Sequence, residues 1–106
     1  MKRPTALLAI ATITAAPLAL ADAGTDRLQK DGCTACHSID TKIVGPAYKD
    51  VAEKYRNDSG AQAKLIEKVK KGGSGVWGQI PMPPNSPQVS DADIKADVEY
   101  ILSLKK

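Results

Sequence analysis

The feature that most constrains this 106-residue chain is the stretch at residues 33–37 (CTACH), which contains both cysteines and the only histidine. Two thiols three residues apart lie on the same face of a helical turn. The histidine follows directly and can project its imidazole to the same side. This C-x-x-C-H pattern is the attachment site of a c-type haem. The sequence therefore predicts one haem c, held covalently by Cys33 and Cys36, with His37 as an iron ligand.

The N-terminal residues have the pattern of a secretion signal. The first three residues are basic, an apolar run follows, and residues 19–21 (ALA) form a small-x-small cleavage site. Pro17 and several threonines interrupt the run, which makes it a poor membrane span. We therefore expect residues 1–21 to be a signal peptide and residues 22–106 to be one domain in the periplasm.

Other uses of two cysteines compete with haem attachment. A thioredoxin-like C-x-x-C opens a helix after a strand, and no strand pattern precedes Cys33. A structural disulfide suits an exported protein but leaves His37 without a role. A zinc site needs a fourth ligand, and one C-x-x-C is weak evidence for it. The small domain has no phenylalanine, so a haem that fills the core is the favoured interpretation.

The charge of the chain argues against two classes of partner. Lys2 and Arg3 lie in the predicted signal and belong to the 15 basic residues, whereas all 12 acidic residues follow residue 21. The remaining charges nearly balance, so no large field of one sign is expected. We therefore expect neither nucleic acid nor anionic lipid as a partner. No stable insertion into a membrane is expected either.

Helical periodicity without strand-like alternation predicts an all-α domain. The expected helices cover residues 25–31, 47–55 and 61–71, and a fourth begins at the capping sequence of residues 90–93 (SDAD). Gly32 and Gly72 are the predicted stops of the first and third helices. The predicted inward-facing side chains are Leu28, Ala47, Val51, Ala52, Tyr55, Leu65, Ile66, Val69, Ile94, Val98, Ile101 and Leu102.

Residues 72–87 form a loop rich in Gly, Ser and Pro, and its length of about sixteen residues indicates a function. A G-x-G-x-x-G match inside it follows a helix and opens none, so a dinucleotide site is not expected. Met82 lies between prolines (IPMPPN) and is the one methionine after the predicted signal. The alternative for Met82 is core filler. With His37 on iron, however, a thioether on a stiff loop is the predicted sixth ligand.

Three stretches, CTACH, VGPAYKD and GVWGQIPMPPN, make the chain resemble the small bacterial class I c-type cytochromes of the cytochrome c-551 group (cytochrome c8). The resemblance extends from the region of Lys30 to Lys106. It implies the class I cytochrome c fold, in which four short helices and ordered loops surround one covalently bound haem. In this family the cysteine thioethers fall on Cys33 and Cys36, and the iron ligands on His37 and Met82.

The resemblance also implies roles for residues around the ligands. The carbonyl that accepts the imidazole N–H falls on Pro46, and such a bond fixes the orientation and basicity of the ring. Trp77, which could otherwise be core, falls on a residue that binds a haem propionate. The amide of Asn85 is expected to donate to the methionine sulfur. Lys68 stands where the family often has an arginine near a propionate, and lysine lacks the planar fork.

The function implied is that of a monomeric one-electron carrier and not an enzyme. Its expected partners are redox proteins, with a bc-type complex or another donor on one side and a nitrite reductase, oxidase or peroxidase as acceptor. A rival function is a haem enzyme or sensor that loses Met82 and binds a small ligand such as nitric oxide or peroxide. A second rival is a thiol–disulfide protein that uses Cys33 and Cys36 without haem.

Redox partners are expected to dock briefly at an exposed haem edge, through a small and weak interface. Salt should then have only a secondary influence on association, because apolar contact contributes most to the interface. The apolar residues predicted to flank this edge are Ile43, Val44, Ile80, Pro81, Pro83 and Pro84. Three lysines, Lys30, Lys42 and Lys49, are predicted rim charges, and the alternative is that they are ordinary solvated surface.

Overall fold

The structure is a computed structural model that describes the backbone of residues 5, 9–10 and 16–104, and the side chains of residues 5, 9–10 and 23–104. Its elements are α1 (Ala16–Lys30), a 3-10 turn (Cys33–Ala35), α2 (Tyr48–Lys54), α3 (Ala61–Lys71) and α4 (Asp91–Ser103). Within these residues, extended backbone pairs only in two isolated β-bridges. The prediction of an all-α domain with four helices is confirmed.

The first helix is longer than predicted. It begins at Ala16 instead of residue 25, because the preceding residues are mainly Ala and Leu, which have high helix propensity. The helix therefore runs through the predicted cleavage point, and most of residues 1–21 lie outside the described part of the chain. The signal peptide stays a prediction. No described helix is long and apolar enough to span a membrane.

The ends of α3 and α4 follow the local signals in the sequence. Gly72 ends α3 with φ 75°, and its N–H donates to the Lys68 carbonyl. Ser90 caps α4, where its Oγ accepts the Asp93 N–H at 3.1 Å. Helix α2 is one residue shorter than predicted at each end, with Ala47 and Tyr55 as its caps.

The core lies where α1, α2 and α4 meet. Leu28, Tyr48, Val51 and Ile101 form its main cluster, and Ile94 and Val98 of α4 are fully buried beside it. Tyr48 is buried here although it is not among the predicted inward-facing side chains. The apolar side chains of α3, Leu65, Ile66 and Val69, are only partly buried. Two of them, Leu65 and Val69, line a cavity, and Leu65 also packs against the core cluster.

A polar contact and a close packing contact join α1 to α4. Arg27 Nε donates to Asp97 Oδ1 at 2.8 Å, and Arg27 Nη2 donates to the Ala96 carbonyl at 3.0 Å. Close to the contacts of Arg27, a Cβ on Gly24 would lie 2.4 Å from the Tyr100 ring. The two helices thus approach each other closely, and the chain immediately before the 3-10 turn is held in place.

Candidate haem-binding site

A cavity of about 270 Å³ opens between the 3-10 turn, the ends of α2 and α3, and the loop that follows α3. Its wall is mostly apolar, with Val51, Leu65, Val69, Val98 and Ile101 as helical contributions. The predicted site residues in this wall are Cys33, Cys36, His37, Pro46, Lys68, Trp77 and Met82. Asn85 is not part of the wall. Residues far apart in the chain are therefore gathered around one space.

The cysteines lie on a tight turn at one side of the cavity. Gly32 precedes the turn with φ 84°, a conformation that other residues rarely adopt. His37 N–H donates to the Cys33 carbonyl at 3.0 Å, which closes one helical turn. The thiols of Cys33 and Cys36 are not joined to each other, and both residues line the cavity. The two sulfurs and the imidazole therefore face the same space, as the motif predicts.

The His37 ring is held by three contacts. Its Nδ1 lies 2.8 Å from the Pro46 carbonyl oxygen, to which it donates when the proton is on Nδ1. The ring also stacks on Tyr48, with centroids 4.9 Å apart. A Cβ on Gly45 would lie 2.4 Å from His37 Cε1, so that only glycine fits beside the ring. Nε2 is thus the nitrogen available to a metal, and its orientation is set by the protein.

The environment of Cys33 keeps its sulfur protonated at neutral pH. Burial raises the pKa of the Cys33 thiol to about 11, and the negative charge of Asp97 adds to the increase. A hydrogen bond with the Tyr48 hydroxyl acts in the opposite direction. Burial likewise raises the pKa of Tyr48. Cys33 is therefore unlike the reactive low-pKa cysteines of thiol–disulfide proteins.

The loop that carries Met82 is held by its backbone. Gly73 N–H donates to the Met82 carbonyl at 3.0 Å, and Met82 N–H donates to the Gly73 carbonyl at 2.8 Å. A Cβ on Gly72 would lie 2.3 Å from the same Met82 oxygen. Paired backbone bonds therefore stiffen this loop in addition to its prolines. The Gly72–Gly73 pair was the signal that a second strand of backbone approaches closely here.

The amide of Asn85 contacts two backbone carbonyls in this structure. Asn85 Nδ2 donates to the Val69 and Pro83 carbonyls, each at 3.2 Å, and its backbone N–H donates to the Val69 carbonyl at 3.0 Å. Both amide protons therefore have carbonyl partners, which are stronger acceptors than a thioether. In this structure Asn85 tethers the loop to α3, and donation to the Met82 sulfur stays a prediction.

Trp77 and Lys68 lie at the edge of the cavity. Trp77 is 41% exposed, so the alternative that it is core is wrong. Lys54 Nζ lies 5.7 Å from the centroid of the Trp77 ring, a cation–π distance. Lys68 is half-buried in the cavity wall. Their proposed contacts with propionates stay predictions.

One residue of the cavity wall was missed by the sequence analysis. Asp97 lies on α4 and is only 3% exposed. It stands three residues after Ile94 and one before Val98, inside the apolar stripe of the helix. An acidic residue at such a position is the signal that could have identified it.

The donor set of the cavity fits a c-type haem. Two thiols and an imidazole on one short turn match covalent attachment with one axial ligand. A soft thioether on a second segment matches the other axial position. The rest of the wall is mostly apolar, which suits the faces of a porphyrin. No additional donor has to be assumed.

Comparisons with known proteins agree with this geometry. The family model for cytochrome c matches residues 21–105. Cytochrome c-551 of Allochromatium vinosum is 58% identical over 97 residues, which are 92% of this chain and 100% of the relative. Cytochrome c-552 of Nitrosomonas europaea is 55% identical over 85 residues, which are 80% of this chain and 82% of the relative.

A solved structure gives the same result for the fold. The crystal structure of wild-type Nitrosomonas europaea cytochrome c552 is similar with a TM-score of 0.72 and 56% identity, and the match covers 76% of this chain and 99% of that chain. The predicted class I fold is thus confirmed. The chain belongs to the cytochrome c family, as a small class I c-type cytochrome of the c-551 group that carries electrons on one covalently attached haem c.

Proposed function

We propose that the chain is a periplasmic one-electron carrier, and not an enzyme, whose haem iron is bound by His37 and Met82. The observation that carries the proposal is the single cavity lined by both residues and by Cys33 and Cys36. When bound, the haem supplies an iron that changes between the ferrous and ferric states. The protein side chains hold it, orient it and limit its access to water.

The contacts around His37 and Met82 support an iron that is bound by both of these side chains. The Pro46 carbonyl orients the His37 ring through Nδ1 and leaves Nε2 for the metal. The paired backbone bonds of Met82 and Gly73 restrict where the thioether can lie. If both side chains bind, no axial position remains for a substrate, and a His/Met pair favours a high reduction potential. This argues against the rival function of a haem that binds nitric oxide or peroxide.

The mouth of the cavity supports a docking site for redox proteins. The mouth patch consists of Ile43, Val44, Ile80, Pro81, Pro83 and Pro84, all of which are exposed. Four of its members also line the cavity, namely Val44, Ile80, Pro81 and Pro83. Apolar exposure at the cofactor edge suits a brief encounter in which electrons cross a short distance. A bc-type complex and a reductase, oxidase or peroxidase are the expected classes of donor and acceptor.

The lysines around the patch differ from one another. Lys42 is exposed and lines the cavity, so it is the best candidate for a rim charge. Lys49 Nζ lies 2.7 Å from Asp40 Oδ1, so its charge is largely compensated. Lys30 is exposed near the end of α1. Of the three lysines, we therefore expect Lys42 to be the most effective rim charge and Lys49 the least.

Met82 ligation is tested by spectroscopy of the ferric protein. The wild type should show the weak red-edge absorption of sulfur–iron ligation, and Met82→Ala should lose it. The variant should also gain affinity for azide and carbon monoxide, because an axial position becomes open. Gln88→Ala, an exposed change outside the cavity wall, is the control and should leave both properties unchanged. Ready binding of carbon monoxide by the wild type at neutral pH would favour the rival function.

The docking proposal is tested by electron transfer to a purified partner reductase. Val44→Asp and Pro83→Asp should slow the reaction, because each puts a charge into the apolar contact. Gln29→Asp, an exposed change outside the patch, should have little effect. A rate that falls about tenfold with moderate salt and ignores both patch variants would show that charge steering dominates.

A further inference from the structure

A buried carboxyl group lies in the wall of the haem cavity, where neither iron ligation nor docking uses it. Asp97 is 3% exposed and belongs to the residues that line the cavity. It interrupts the apolar stripe of α4 between Ile94 and Val98. A buried charge at such a position costs stability unless it is paired, and aspartate is rarely buried this deeply. Its location beside a redox cofactor indicates a role in the electron-transfer reaction.

The charged groups around Asp97 do not balance. Arg27 of α1 donates to Asp97 Oδ1 at 2.8 Å. Asp31, in the turn after α1, brings a second carboxyl group close enough to act on Asp97. From the 3-10 turn and from α2, the titratable neighbours are Cys33 and Tyr48, whose pKa values the charge of Asp97 raises. One guanidinium therefore faces two carboxyl groups.

A proton shared between the carboxyl groups resolves this imbalance. Asp31 Oδ2 is buried and has no hydrogen-bond partner among the described residues. A proton on Asp97 would donate to Asp31 and satisfy that oxygen. Burial, followed by the contact with Asp31, raises the pKa of Asp97 to about 7, although Arg27 acts in the opposite direction. Asp97 can thus gain or lose a proton near neutral pH.

We propose that Asp97 is the residue that couples proton binding to electron transfer in this protein. Its carboxylate takes one proton from solvent when the haem gains one electron from a redox partner, and it releases that proton when the electron leaves. Uptake brings one positive and one negative charge into the same region, and release removes both, so the net charge there is unchanged. The inference rests on the proposed function, since it needs the haem in the cavity beside Asp97.

The physical reason is electrostatic. An ionised Asp97 stabilises the ferric state, which carries one more positive charge than the ferrous state. By linkage, the ferrous state must then bind the proton more tightly than the ferric state. A tenfold difference in proton affinity between the two states corresponds to about 59 mV for one electron. The potential should therefore fall as pH rises through the range in which Asp97 titrates.

The test is to measure the reduction potential of the haem-bound protein from about pH 5 to about pH 9. The wild type should show a potential that falls over a range near pH 7. Asp97→Asn should lose this fall, agree with the wild type at low pH and lie above it at high pH. Asp91→Asn removes an acidic group from the exposed start of the same helix, and it should keep the wild-type pH dependence.

A second variant and a direct measurement keep the test independent of how well Asp97→Asn folds. Asp31→Asn should shift the fall to lower pH, because an amide donates to the ionised Asp97 instead of competing with it. In the wild type, the carboxyl carbon-13 resonance of Asp97 should titrate at higher pH in the ferrous than in the ferric protein.

Two results would overturn the inference. One is an Asp97→Asn variant whose reduction potential depends on pH as in the wild type. That result would assign the pH dependence to the carboxylates of the haem. The other is an Asp97 resonance that titrates identically in both oxidation states. A wild-type protein without a reversible one-electron couple would instead refute the proposed function, so the two failures are distinguishable.

Discussion

The two segments that carry the predicted iron ligands are held in place by different means. The proximal segment (residues 33–46) fixes His37 through its side chain, by the Pro46 carbonyl and the stacked Tyr48 ring. The distal segment (residues 72–85) fixes Met82 through its backbone, by the paired bonds with Gly73. Side-chain packing is specific and local, whereas backbone bonds tolerate many side chains. The proximal segment should therefore be sensitive to side-chain substitutions, and the distal segment to changes that disturb its backbone.

The proximal and distal segments also differ in how far their residues are buried. Most residues from Cys33 to Ile39 are half-buried, whereas residues 73–81 are all exposed. A segment with few buried contacts opens at a low free energy, often without global unfolding. We therefore expect the proximal segment to belong to the stable unit of the fold and the distal segment to open first. Four predictions test this comparison, beginning with the largest expected effect, and a fifth concerns the buried charge of Asp97.

Removal of both thioether bonds should have the largest effect. Cys33→Ala with Cys36→Ala detaches the haem from the proximal segment, and a small domain has a total stability of only about 5–15 kcal/mol. We expect most helical structure to be lost at 25 °C, as measured by far-UV circular dichroism. Met82→Ala is the distal counterpart and should stay folded. If Met82→Ala unfolds as completely as the cysteine variant, the two segments are equally essential and the comparison fails.

Gly72→Ala should be the most damaging single change in the distal segment. Its Cβ would lie 2.3 Å from the Met82 carbonyl oxygen, and its φ of 75° is strained for alanine. We expect a loss of about 2–4 kcal/mol in the free energy of unfolding and a weaker sulfur–iron absorption. Denaturant titration measures the first effect and the ferric spectrum the second.

Gly75→Ala separates backbone strain from the close approach to Met82. Gly75 also has a positive φ, 114°, but nothing lies within 4 Å of its Cβ position. Its substitution should therefore cost only about 1 kcal/mol and leave the absorption intact. Equal effects of Gly72→Ala and Gly75→Ala would mean that contact with Met82 is unimportant.

Loss of the Asn85 tether should have a smaller effect than Gly72→Ala. Asn85→Ala removes two side-chain bonds, to the Val69 and Pro83 carbonyls. We expect a loss of about 1–3 kcal/mol and faster hydrogen exchange in the distal segment, with little change in the proximal one. Asn57→Ala, an exposed change in the turn before α3, serves as the control. Faster exchange in both segments would show that they open together.

The last prediction concerns the dependence of stability on pH. The pKa of Asp97 is about 7 in the folded protein and 3.8 without the fold, so the folded state binds more protons between these values. Stability should therefore fall as pH rises from about 4 to about 7, by at most about 1.4 kcal/mol per pH unit from this group. Asp97→Asn should lack this contribution in denaturant titrations across pH. A wild type whose stability rises through this range as steeply as that of the variant would contradict the prediction.

Local patterns predicted a large part of the fold and of the site. The bounds of α3, the Ser90 cap and the cavity-lining role of the cysteines and His37 all depend on residues a few positions apart. The start of α1 was wrong because an apolar signal-like run and a helix have the same composition. The role of Asn85 was carried over from the resemblance, and in this structure the nearer carbonyls take both of its amide protons.

The sequence by itself determined the class of cofactor and the class of fold, because C-x-x-C-H and helical periodicity are short-range patterns that need no neighbours. Only the tertiary structure decided which distant groups meet. Arg27 and Asp97 are 70 residues apart in the chain, yet their ion pair lies beside the haem cavity. Neither residue carries a local signal of that contact. The charge next to the cofactor, and any proton it binds, therefore depends on how α1 and α4 pack.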